Sequence, residues 1–186
     1  MAAVGRAAAA LAGLGHTVEP TDFAPLDDER LQLGFLACFT SWVARELDEW
    51  TEWTGDPVTE ADVEAATWIV AEMGRAVSAA AYLAGLEQLR GAARTTIDWW
   101  EGTDVLLTPT LPEPPPRLGD VVGTADDPLR GLVRAGELVG FTQPFNVSGQ
   151  PAISAAWLPP RPPKLADDPG VVCQTARPHG GYSSVG

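Results

Sequence analysis

Two proline-punctuated stretches organise this chain: Asp104-Val-Leu-Leu-Thr-Pro-Thr-Leu-Pro112 and Phe141-Thr-Gln-Pro-Phe-Asn-Val-Ser-Gly-Gln-Pro-Ala-Ile-Ser154. Each joins a short apolar run to a turn that proline or glycine imposes. The runs at residues 104–108 and 152–156 do not alternate between apolar and polar side chains, which is typical of strands covered on both faces by helices. Pro109 ends the first run because it has no amide hydrogen to donate. The two stretches therefore predict buried strands of a layered α/β fold.

Helical periodicity fills most of the chain before these strands. Residues 2–14 predict a helix that Gly15 ends, and residues 16–19 predict a short strand after it. Residues 27–50 predict a second helix, because apolar side chains recur there at three- and four-residue spacing. The members of that stripe are Leu31, Phe35, Cys38, Phe39 and Trp42.

A longer helical pattern covers residues 60–101, with a break predicted at Gly85 or Gly91. Residues 131–140 predict a short helix before the second proline-punctuated stretch. Helices that alternate with short strands indicate an α/β fold. The first helix has no strand before it, which is unusual for this class, so we expect the sequence to begin inside a domain.

Composition limits the partners that this chain can have. Its 186 residues are enough for one domain with a core, and they carry a formal net charge of −13. Nucleic acid and anionic membrane surfaces would repel such an acidic chain, so we predict neither as a partner. No run reaches the ~20 apolar residues of a membrane span, and the alanine-rich start is not typical of a secretion signal. These observations favour a cytoplasmic location.

The residue types that catalysis or metal binding requires do not form any known pattern. His16 is predicted in a turn and His179 in an irregular tail, and neither has a serine or aspartate at the spacing of a catalytic triad. Lys164 is the sole lysine and lies among prolines. Cys38 and Cys173 match no zinc motif, and no glycine-rich phosphate loop occurs. The sequence therefore predicts no catalytic residue, no metal and no cofactor in this chain.

Four motifs, in the same order and at similar spacing, resemble those of the amidase-signature hydrolases. They are Leu14-Gly-His-Thr-Val18, then Tyr82-Leu83 followed by Arg90 or Arg94, then Asp104-Val-Leu-Leu-Thr-Pro-Thr110, and finally Thr142 through Ser154. That family cleaves amide bonds with a Ser–Ser–Lys triad, and its α/β/α fold is a mixed sheet covered by helices. The resemblance spans about residues 1–157 and implies an incomplete, C-terminal part of that fold.

The resemblance also implies where a substrate would bind. In the family, the stretch that is similar to residues 141–154 lies close to the catalytic centre. Thr142, Gln143, Phe145 and Asn146 are therefore candidates to line the acyl side of a pocket for a small-molecule amide. The alternative is a structural turn between helix and sheet, in which Asn146 bonds its own turn.

Two departures separate the chain from the family. The lysine, both serines and the oxyanion loop of the triad have no counterpart, so we expect the chain alone to be catalytically inactive. After residue 157 the family continues with a Gly-Leu-Pro-x-Gly-Val-Gln strand and a final helix, to which only residues 167–172 and 176–178 are similar here. We therefore predict an amidase-like segment, 1–157, and an irregular proline-rich tail, 158–186, of the kind that a frameshift or a degenerating gene produces.

Loss of that strand would leave strands 104–108 and 152–156 without neighbours, so we expect the chain to be unstable alone. Three interpretations follow from these patterns. The chain is a silent C-terminal piece of an amidase, or a module that completes a separately encoded N-terminal amidase half, or a freestanding acidic binding domain. The residues present do not indicate which amide a parent enzyme would cleave.

Overall fold

A computed structural model describes residues 2–155 and 171–175 of the chain. Its elements, in order, are α1 (Ala2–Gly13), α2 (Glu29–Thr54), α3 (Ala65–Arg75), α4 (Ala79–Asp98), β1 (Val105–Pro109), α5 (Arg130–Leu138), α6 (Gln143–Ser148), β2 (Ala152–Ala155) and β3 (Val171–Thr175). Short 3₁₀ turns, Ala24–Asp27 and Glu60–Asp62, precede α2 and α3. Five predicted elements are confirmed within a few residues: the helices at 2–14, 27–50 and 131–140, and the strands at 104–108 and 152–156.

The three strands form one sheet in the order β1-β3-β2. Both pairings with β3 are antiparallel, so β1 and β2 run parallel to each other on its two sides. Thr108 and Ser154 both lie opposite Val172, which places them in one row across the sheet. The α/β class is confirmed, while within the described residues the pairings are antiparallel and not mixed.

β3 lies inside the segment that the sequence predicted to be irregular, and for its five residues that prediction is wrong. Because β3 is the middle strand, the expectation that the other two strands lack neighbours is also wrong on their inner sides. Val171–Thr175 is rich in β-forming residues but follows a proline-rich stretch, so the sequence did not predict it as a strand. It pairs because strands from elsewhere in the chain flank it. Residues 156–170 and 176–186 lie outside the described part, so the division at residue 157 stays a prediction.

The pattern at residues 60–101 is not one helix, and its break is not at either predicted glycine. α3 ends at Arg75, and α4 begins after Ser78, whose hydroxyl accepts a hydrogen bond from the Ala81 amide at 3.1 Å. Capping by serine satisfies an orphan amide and starts a new helix there. Within the described residues no single helix is long and apolar enough to cross a membrane; only α3 and α4 together have that length and composition, with a 104° bend between them.

Glycines set the distances between α2 and the two helices packed on it. A Cβ on Gly34 would lie 2.7 Å from the Gly85 carbonyl oxygen, and one on Gly74 would overlap the carbonyl of Thr40. The backbones of α2, α3 and α4 therefore touch almost directly. Gly85 serves this helix crossing, which explains why it does not interrupt α4.

Residues 16–19 are not a strand, and this prediction is wrong. They are exposed and irregular, and no described strand pairs with them. Gly15 does end α1 as predicted: its φ is +95°, and the next amide, of His16, donates to the Leu11 carbonyl at 3.2 Å. A β-like run without a partner strand stays a loop, because its amides bond water equally well.

Both faces of β1 are covered by apolar side chains. Leu106 packs with Phe23, Trp100 and Phe145 in an aromatic cluster on one face. Leu107, on the opposite face, packs against Ala3 and Ala7 of α1. A third cluster joins α2 to α3, through Ala44, Leu47 and Ala71.

Two predictions of burial fail. All four residues of β2 are exposed, although the sequence predicted a core strand. On α2, Leu31 is buried, but Phe35 and Trp42 of the same predicted stripe are exposed. The buried face of α2 combines Gly34 and Ala44, which allow close backbone contact, with the larger Leu31, Thr40 and Leu47.

Candidate functional site

The four predicted site residues lie at the start of α6, a helix of six residues. The sequence predicted a turn here, and the structure forms a short helix with Pro144 in its first turn. Proline suits that position because the amide it lacks would have no partner in the helix. The Thr142 hydroxyl donates to the Val139 carbonyl at 3.0 Å, and Gly149, with φ of +69°, ends the helix.

Phe145 holds α6 against the rest of the molecule. Its side chain is only 3% exposed. The ring stacks on Phe23 at 5.2 Å between centroids and meets Trp100 edge-on at 6.5 Å. Aromatic contacts of this kind add to the free energy gained from burial. In this arrangement Phe145 anchors the helix and turns inward to the aromatic cluster.

The other three residues differ in exposure. Gln143 is half-buried, and its Nε2 donates to the Leu31 carbonyl at 3.5 Å, a long contact that joins α6 to α2. Thr142 is half-buried and Asn146 is exposed. Residues three and four apart share a face of a helix, so Asn146 lies on the same face as Thr142 and Gln143. Burial separates the four side chains: Phe145 is enclosed, while Thr142, Gln143 and Asn146 each stay at least partly exposed.

An ion pair fixes the segment of α2 that Gln143 contacts. The Arg30 guanidinium donates to Asp28 at 2.6 and 2.8 Å and to the Thr95 hydroxyl of α4 at 2.7 Å. These hydrogen bonds hold the pKa of Asp28 below its usual range. Asp28 also caps α2 by accepting from the Arg30 amide. The start of α2, and with it Leu31, is therefore tied to α4.

Thr108 was not predicted from the sequence as a candidate site residue. It is 6% exposed, and among the described residues its hydroxyl has no hydrogen-bond partner. Alternation along a strand puts Thr108 on the face of β1 that carries Leu106, the face that meets Phe145. The hydroxyl of Thr110 and the amide nitrogen of Gln150 are likewise buried without partners in that part of the chain. The position of Thr108 inside an apolar run was the one feature of the sequence that could have indicated it.

Two cavities lie away from α6. A groove of about 440 Å³ runs between α2, α3 and α5, with walls that include Phe39, Val70 and Leu132. A cavity of about 310 Å³ is lined mainly by charged side chains near α5, among them Asp127 and Arg134. Across residues 2–155 and 171–175, no group of three or more His, Cys, Asp or Glu side chains could hold a metal ion.

The chain is similar to known amide hydrolases. The family model described as Amidase matches residues 1–162. The 6-aminohexanoate-cyclic-dimer hydrolase of Pseudomonas sp. (strain NK87) is 38% identical over 159 residues, which cover 82% of this chain and 32% of that protein. The hydrolase of the same name from Paenarthrobacter ureafaciens is 36% identical over the same length and shares. The chain thus spans about a third of the length of these relatives.

Solved structures give the same result. The structure of 6-aminohexanoate cyclic dimer hydrolase complexed with substrate superposes with a TM-score of 0.83 at 34% identity, over 94% of this chain and 37% of that one. A bacterial aryl acylamidase of the amidase signature family shares the fold, with a TM-score of 0.62 at 20% identity. The match to the family model covers most of the sequence, and relatives and structures agree with it. This chain belongs to the amidase family.

Proposed function

We propose that this chain forms the C-terminal part of an amide-hydrolysing enzyme whose nucleophile lies in the N-terminal part of the same fold. One observation carries the proposal: 94% of the chain superposes on a substrate-bound hydrolase while covering 37% of it. The rest of that fold would supply the Ser–Ser–Lys triad that the family resemblance implies. By itself, this chain would not hydrolyse amides.

The reaction would proceed through an acyl-enzyme. A serine oxygen attacks the amide carbonyl, the carbon–nitrogen bond breaks, and the amine leaves with a proton. Water then attacks the acyl-serine, which releases the carboxylic acid and restores the serine. This chain's share in the reaction is to hold the acyl side of the substrate, not to form or break bonds.

Within that site, Thr142, Gln143 and Asn146 would line the acyl side of the pocket. These three side chains are at least partly exposed, and Phe145 would position them by anchoring the helix in the aromatic cluster. None of these four side chains is ionisable, and uncharged donors and acceptors suit a neutral amide. The exposure of the three polar residues supports the prediction for them, and the burial of Phe145 supports a positioning role for it.

For the substrate, we propose amides of ω-amino acids, such as the cyclic dimer of 6-aminohexanoate. Two relatives at 38% and 36% identity carry that activity in their names. The N-terminal part could precede this sequence in one chain or come from a separate polypeptide, and both arrangements give the same site. The cytoplasmic location, and the lack of nucleic-acid and membrane partners, stay predictions.

Complementation tests the proposal. This chain aligns with 32% of the Paenarthrobacter ureafaciens relative. It is co-expressed with approximately the N-terminal two thirds of that relative, and we call the product the complemented enzyme. Release of linear dimer from the cyclic dimer is then measured. We expect activity from the complemented enzyme and none from either part alone. Hydrolysis by this chain alone would contradict the proposal, and so would a stably formed complex that cleaves no amide.

A further inference from the structure

β2 has the composition of a core strand but is exposed. Its sequence, Ala-Ile-Ser-Ala, contains no charged residue, and Ile153 is 60% exposed. Among the strands that the structure describes, β2 is also an edge strand, because β3 alone pairs with it there. Natural proteins protect exposed edges with lysines, other charges or prolines, since an open edge recruits another strand. β2 carries none of these within its four residues.

The face of the sheet around Ile153 is only partly covered. Ile153 and Leu107 both lie opposite Cys173, which puts them on one face, two strand spacings or about 10 Å apart. α1 covers Leu107 with Ala3 and Ala7 but leaves Ile153 exposed. A second element beside α1 would complete the layer over this face.

α1 has the composition of a helix that is buried on several sides. Arg6 is the single charged residue in its 12, and the helix exposes much of its remaining surface. Leu14, which follows it directly, is 77% exposed. Surface helices normally have a charged or polar outer face, whereas helices that are apolar all round are buried.

Neither α1 nor the stretch around β2 contains an acidic residue. The first acidic residue in the chain is Glu19, and none occurs between Glu137 and Asp167, a span that includes α6 and β2. The net charge of −13 therefore comes from other parts of the chain. An uncharged surface on such an acidic protein is the composition of an interface core, where charged residues are depleted.

We infer that α1 and β2 together form a docking surface for the N-terminal two thirds of the amidase fold. That polypeptide would add a strand to the free edge of β2 and a helix over Ile153. The occupant follows from length: the relatives extend over about two thirds of a chain beyond the part that this sequence matches. The inference rests on the proposed function, and it identifies where this chain would contact the N-terminal part.

Capture experiments test the surface independently of catalysis. This chain is immobilised, and binding of the N-terminal part of the Paenarthrobacter ureafaciens relative is measured. We expect Ile153→Asp to weaken binding at least about tenfold, since a buried carboxylate opposes docking. Ile153→Val should retain binding within about twofold. Leu83→Asp is the matched control, because Leu83 of α4 is also 60% exposed, and it should bind like the unaltered chain.

Hydrogen exchange gives a second measurement on the unaltered chain. The β2 amides that point away from β3 should exchange fast in the free chain and slow at least about tenfold when the N-terminal part is added. The inference is overturned if nothing is captured, if Ile153→Asp and Leu83→Asp bind equally, or if the β2 amides that point away from β3 are already protected in the free chain. A complex that is sensitive to Ile153→Asp but inactive would contradict the proposed function alone, and an active complex indifferent to that change would contradict the docking surface alone.

Discussion

Gly74 of α3 lies directly on the backbone carbonyl of Thr40 of α2, with no room for a side chain between the two helices. Thr40 is itself 2% exposed, and its hydroxyl donates back to the Leu36 carbonyl at 2.9 Å. The crossing is therefore a contact of backbone on backbone. Neither partner can move without separating α2 from α3.

Gly74→Ala should accordingly destabilise the chain by about 1–3 kcal/mol, the usual cost of overpacking a close contact. Gly136→Ala is the control, because Gly136 is exposed on α5 and a Cβ there meets nothing within 4 Å. That change should be neutral or stabilise by up to about 1 kcal/mol. Urea unfolding followed by circular dichroism measures both. Equal midpoints for the two variants would contradict the close crossing.

The Asp28–Arg30 pair should make stability depend on pH. The pKa of Asp28 is lowered in the folded chain, mainly by hydrogen bonds from the Arg30 side chain. The contribution is therefore complete above the unfolded pKa of about 3.9 and is lost as the pH falls through the lower folded value. Asp28→Asn removes the ionised partner but keeps a capping side chain. We expect the variant to be less stable than the unaltered chain at pH 6, with the gap closing near pH 2. A gap that is the same at both pH values would exclude this linkage.

Phe145→Ala should remove the anchor of α6. Truncating a buried phenylalanine typically costs about 3–5 kcal/mol, and here it would open the aromatic cluster beneath the helix. Phe35→Ala, on an exposed ring of α2, should cost far less. Thermal unfolding of both variants distinguishes them, and a similar loss in each would show that Phe145 does not anchor the helix.

Asn146→Ala should impair the complemented enzyme without affecting the fold. Asn146 is exposed, so its truncation leaves no buried group unpaired. Loss of one neutral hydrogen bond to the substrate costs about 0.5–1.5 kcal/mol, which lowers kcat/KM by up to about tenfold. Gln32→Ala, at an exposed amide on α2, is the control and should leave kcat/KM unchanged. If both variants retain full kcat/KM with the cyclic dimer, Asn146 does not contact the substrate.

Periodicity predicted most helices because each packs one apolar face, and that pattern is local in the sequence. It could not locate the junction at Ser78, since the apolar stripe continues across it and the bend is decided by a cap. It could not identify β3 either, because a strand in the middle of a sheet depends on partners far away in sequence.

The site was predicted only as a location. The motif around residues 142–154 led to α6, but the choice between a lining and an anchoring role depends on which way each side chain points. Phe145 and Asn146 are adjacent in sequence, yet one is buried and the other exposed. The orphan hydroxyl of Thr108 becomes evident only when β1 is packed between two layers.

The order β1-β3-β2 has a consequence for how the chain is made. During synthesis β1 and β2 leave the ribosome first, and the gap between them stays open until β3, Val171–Thr175, has followed. Contacts that span so much sequence form slowly, and unpaired strands that wait for them are prone to aggregate. A premature stop shortly before residue 171 would therefore not shorten the sheet by one strand. It would prevent the sheet from forming, because neither remaining strand has the other as a neighbour.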